Sequence, residues 1–81
     1  MGKKYYEEIK ERLIRDSIRT NDMAKEKDKD RNRIDYGCCV AWVTVLWDMG
    51  HDVRVHVWKN DDGFLEIKGI NIEDEDNYIE L

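Results

Sequence analysis

The sequence predicts a small α+β domain in which two helices precede an antiparallel β-hairpin, in the order ααββ. Three observations carry this. Residues 3–19 repeat apolar side chains at helical spacing, residues 36–49 form the most apolar stretch of the chain, and residues 53–68 alternate with a period of two around a strong turn signal. Eighty-one residues make a single domain, and 41% of them are charged, so the core is drawn from few positions.

The first helix is amphipathic. Tyr6, Ile9, Leu13 and Ser17 follow one another at spacings of three or four, and Tyr5, Ile14 and Ile18 widen the band. Glu8–Arg12 and Glu11–Arg15 are favourable i,i+4 pairs on the wet side. No Gly or Pro lies between Gly2 and Gly37, and Thr20, Met23 and Ala24 continue the stripe. One helix reaching about residue 30 is therefore expected, with a fault near Asn21. Residues 25–33, KEKDKDRNR, alternate in sign without an apolar side chain and read as a solvated connector.

The second helix is expected over 36–49, YGCCVAWVTVLWDM, with Asp35 as N-cap and Gly50 as the left-handed residue that ends it. Its β-branched residues would also suit a strand, but Gly37, Thr44 and Asp48 line up along one side of a helix. The polar stripe is narrow. Cys38, Ala41, Trp42, Val45 and Met49 make one apolar face, and Cys39, Val40, Val43, Leu46 and Trp47 make a second, more than one small chain can cover. The second face is the expected interface of a homodimer.

From Asp52 the period changes to two. Val53, Val55 and Val57 alternate with Arg54, His56 and Trp58, and Asn60-Asp61-Asp62-Gly63 predicts a three-residue loop ending in a left-handed Gly63 with a bulge. That loop pairs Val57 with Ile67 and Val55 with Gly69, which puts Leu65 and Ile67 on the valine face. Trp58, Phe64, Ile70 and Ile72 fall on the other. The valine face is expected to rest on the second helix, with Gly69 admitting a backbone or a bulky tryptophan. Tyr78, Ile79 and Leu81 are candidates to tie down the end of the chain.

Charge is unevenly spread within a net −5. Residues 1–33 hold eleven basic side chains against eight acidic ones, and residues 61–81 hold one against eight. An acidic end of this kind reads as a solvated surface attracted to the basic start, within the chain or across a dimer, or, more sharply, as a surface for a basic partner, and the acidic balance argues against direct nucleic-acid binding. The longest apolar run, 37–47, is far short of a membrane span, and no secretory leader is legible, so a cytoplasmic location is expected. The two cysteines are sequence neighbours and point about 100° apart on a helix, which argues against a disulfide scaffold. His51, His56 and the acids match no zinc or calcium ligand pattern, and no cofactor motif is present.

Cys38 and Cys39 would occupy the first turn of the second helix, where the dipole lowers a thiol pKa, and His56 lies on the following strand. A cysteine at a helix start with a histidine on a later strand resembles the core of papain-like and transglutaminase-like thiol enzymes, and MGHDVRV is similar to their helix-to-strand passage. The resemblance implies Cys38 or Cys39 as nucleophile with His56 as its base. The competing reading is that two small residues permit close helix packing and stay shielded from a thiol probe. The preferred expectation is non-enzymatic: a homodimeric inhibitor or adaptor that meets a basic partner through Trp58, Glu66, Glu73, Asp74, Glu75 and Asp76. In character it is like the small acidic inhibitors of phages that block nucleic-acid enzymes.

Overall fold

The computed structural model describes residues 3–73 and 78–81. Helix α1 spans Lys3–Lys25 and α2 spans Lys29–Asp48; strands β1, Val53–Lys59, β2, Leu65–Ile72, and β3, Tyr78–Glu80, form one antiparallel sheet in the order β1-β2-β3. The expected ααββ order is present, lengthened by a third strand in which Ile79 faces Ile70 and Tyr78 faces Asn71.

The break between the helices falls within the charged stretch, earlier than expected. Lys27 adopts a left-handed conformation, φ 59°, its N–H donates to the Ala24 carbonyl, and the Asp28 N–H donates to the Met23 carbonyl. This is the two-bond helix ending for which glycine is the usual marker, here built on a lysine. Asp28 then caps α2, accepting the Arg31 N–H at 3.1 Å. The helix therefore starts at Lys29, not after Asp35, and the connector shrinks to a tight turn. Asn32, in the stretch expected to be wet, is 1% exposed.

The hairpin loop forms as its residues demand. Gly63 sits at φ +88° and donates to the Asn60 carbonyl, the Asn60 N–H donates to Phe64, and the Asn60 side chain accepts from Asp62 and Phe64. Val57 opposes Ile67, as the loop length requires. Beyond that pair the ladder shifts: His56 opposes Gly69, Val55 opposes Ile70 and Val53 opposes Ile72, with Lys68 as the extra residue of a bulge. The bulge reverses facing by one position. Ile70 and Ile72, expected on the outer face, are 0% and 3% exposed beneath the helices, and Phe64 is buried as well. Gly69 instead faces outward, where a Cβ would overlap the ring of Tyr78.

Ile9, Leu13, Cys39, Val43, Leu46, Val53, Ile67, Ile70 and Ile72 make the core. The central strand β2 lies mainly against α1, whereas α2 packs mainly on α1 and touches β1 only lightly. The sheet thus rests on the first helix more than on the second, which corrects the expectation. Small side chains let the helices approach: Ser17 and Thr20 send their hydroxyl protons back to the Leu13 and Asp16 carbonyls, and Cys39 Sγ lies 3.5 Å and 3.8 Å from their oxygens.

Two asparagines close the outer edge of β2 where β3 does not reach. Asn21 exchanges both amide bonds with Ile67, at 2.9 and 2.7 Å, and Asn32 does the same with Leu65 at 3.0 Å while donating to the Thr20 carbonyl at 2.8 Å. Each side-chain amide substitutes for a backbone amide of a neighbouring strand. Asn21 sits within an unbroken helix, so the expected fault there is absent.

Candidate protein-interaction surface

Two exposed regions among the described residues hold side chains that the sequence assigned to interfaces. On the outer sheet face, Trp58 is 48% exposed and its indole N–H donates to Glu66 at 2.9 Å. The other Glu66 oxygen accepts from the Asn60 amide at 2.9 Å, and the Lys68 ammonium lies 4.3 Å from the Trp58 ring centroid. The hydrogen bonds from Asn60 and then Trp58 hold the Glu66 carboxyl below the usual glutamate range. Trp58 and Glu66 thus form one fixed group on the exposed face. Farther along this face His56 contacts Asn71 and meets the Tyr78 ring edge-on.

Glu73 is exposed, its backbone is left-handed at φ 73°, and its carboxylate contacts the ring of His51, which stacks on Tyr6. Asp74, Glu75 and Asp76, the remaining acids of the expected partner surface, lie outside the described residues.

The second region is the outside of α2. Cys39, Val43 and Leu46, three of the residues assigned above to a dimer contact, are 1%, 8% and 0% exposed within the protomer's own core. The physical reason is the position of α1, which takes this side of α2 for itself. Val40 and Trp47 remain outside at 47% and 56% exposure, joined by Ile34 at 60%. Gly37, Thr44 and Asp48 are exposed between them, as their alignment predicts. Val40, Thr44 and Trp47 also form one wall of a cleft of about 400 Å³ whose other wall is Val53, Arg54 and Val55 of the open strand β1. The Trp47 indole donates to the Val53 carbonyl at 2.9 Å across one end of that cleft.

The thiol arrangement loses its premises. The earlier start of α2 leaves Cys38 and Cys39 mid-helix, where the terminal dipole no longer acts. Burial raises the Cys39 pKa, against the partial relief of hydrogen bonds from Ser17 and Thr20. Cys39 lies between the helices while His56 is on the far face of the sheet, so the two are not brought together. Cys38 is exposed, contrary to the expected shielding of both thiols.

Sequence reasoning missed Asn21, Asn32 and Asp16. Asp16, 4% exposed, accepts the Trp42 indole N–H at 2.7 Å and joins α1 to α2. The signal for all three was an uncharged or singly charged polar residue at a position where helical spacing points inward. Among the described residues no cluster of three metal-ligating side chains occurs, and no helix is long and apolar enough to cross a membrane. Comparison with protein-family models, curated proteins and solved structures gives no match to this chain.

Proposed function

We propose that the chain is a non-enzymatic protein-binding module, an inhibitor or adaptor that works as a homodimer and meets a basic protein surface. The face that meets it is the outer sheet around Trp58, together with the acids from Glu73 onward. The observation that carries this reading is the state of Trp58, exposed over nearly half its surface yet fixed by Glu66 and Lys68. An indole held in one orientation gives up little rotamer freedom on binding, and tryptophan is the residue most enriched among energetic anchors of interfaces. Glu66 beside it stays ionised at neutral pH, since its hydrogen bonds favour the carboxylate. An aromatic anchor next to a fixed negative charge suits a partner presenting Arg or Lys around an apolar pocket. A sharper form of the proposal is a nucleic-acid enzyme whose basic groove receives these acids in place of phosphates.

The test is affinity capture from the source cells with the native chain, with Trp58→Ala, and with Glu73, Asp74 and Asp76 all changed to Lys. The native chain should retain a partner with a basic surface. Each variant should lose at least about ten-fold of that retention, equivalent to about 1.4 kcal/mol, while remaining folded with at most a modest drop in melting temperature. Undiminished capture by Trp58→Ala would remove the sheet face from the account.

A further inference from the structure

The outside of α2 carries its own information about what covers it. Asp28 caps its amino end, Arg33 lies just inside that end among Asp30 and Asp35, and its last helical residue is Asp48. Asp48 runs against the helix's own dipole, which prefers bases at the carboxyl end. Neither Arg33 nor Asp48 has an ion-pair partner among the described residues. Between them the exposed surface is apolar or small: Ile34, Gly37, Val40, Ala41, Thr44 and Trp47. Such a face is complementary to itself when turned end for end.

We infer that α2 pairs with α2 of a second copy, antiparallel, about a two-fold axis passing between Val40 and Ala41. This rests on the homodimeric reading above and specifies its contact. In that register Arg33 falls opposite Asp48 of the second copy, Ile34 opposite Trp47 and Gly37 opposite Thr44, and symmetry repeats each pair. The overlap runs from Arg33 to Asp48, about 24 Å at 1.5 Å per residue. The two exposed apolar side chains farthest from the axis, Ile34 and Trp47, cover one another, and Gly37 lets the backbones approach. Antiparallel alignment also sets opposite dipole ends side by side, so Asp48 of one helix lies beside the amino end of the other, which favours it.

The rival way to cover this region, addition of a strand to the open edge of β1, is disfavoured by the Trp47 indole. It already holds the Val53 carbonyl, so a new strand would have to displace it. Trp47 stays in place when the helices pair.

The test is sedimentation equilibrium on the full chain and on surface variants made by charge reversal. The native chain should be a reversible dimer. Asp48→Arg and Arg33→Asp should each weaken dimerisation at least about ten-fold, because each creates two like-charged contacts, and the double variant should recover most of the loss. A dimer indifferent to both reversals would overturn this register while leaving the homodimeric reading intact. A native chain monomeric at high concentration would overturn both, and would leave the outside of α2 to a different occupant.

Discussion

Asn32 shows how much one polar side chain can hold. It ties the end of α1, the first turn of α2 and the start of β2 through three hydrogen bonds in a site closed to water. Asn32→Ala would leave both Leu65 backbone groups without partners and take the second donor from the Thr20 carbonyl, a cost of about 3 kcal/mol. A denaturant titration reading a loss under about 1 kcal/mol would show that the surroundings supply replacements. Glu66 gives a prediction in pH. Its folded pKa is depressed by Asn60 and Trp58, so its stabilising contribution is present at neutral pH. That contribution disappears as pH falls from the ordinary glutamate range through the lower folded value. Glu66→Gln should therefore lose less stability than the native chain over that acidic interval; melting curves that stay parallel would refute the assignment.

At the level of elements, the outcome turns on the bulge at Lys68. Without it, strand parity would send Ile70 and Ile72 to the wet face, as a regular hairpin predicts. With it, every isoleucine of β2 reaches the core, and Gly69 turns outward to lie under Tyr78. Gly69→Ala should push the Tyr78 ring off the sheet and free β3. Hydrogen exchange at Ile79 and Leu81 should accelerate while amides in the middle of α1 remain protected. Unchanged protection at the end of the chain would mean that Tyr78 can reseat.

Elements with a strong local pattern were legible in the sequence: the apolar period of α1, the Asn60–Gly63 turn and the Val57–Ile67 pair. The parts that depend on distant partners were not. A left-handed lysine at position 27 carries no glycine to announce it, and a solvated charge run looks the same as one in which Asn32 points inward. Extra strand residues such as Lys68 are specified by the side chains that must be buried on either side, not by local propensity. The same holds for the expected surfaces. The exposure of Trp58 followed from alternation, whereas the choice between the two faces of α2 depended on where α1 would lie.

For the molecule as a whole, the outline is a slab of 39 × 22 × 15 Å, two helices laid beside and over a small sheet. A body so thin covers the inner side of α2 with α1 and leaves the outer side bare. That is why Ile34, Val40 and Trp47 remain exposed in a chain otherwise rich in charge. The self-complementary arrangement of that bare face ties architecture to the proposed role. Pairing through α2 uses none of the residues of the Trp58 face, and a dimer then carries two copies of it.

The claim that α2 meets its own copy is tested most directly by a disulfide placed beside the proposed axis. In a chain carrying Cys38→Ser and Ala41→Cys, the two new thiols should lie within bridging reach across the two-fold. Mild oxidation should convert most of the protein to a covalent dimer, while Cys38→Ser with Asp61→Cys, at the hairpin tip, forms no covalent link. Equal cross-linking by both variants, or none at position 41, would contradict the pairing.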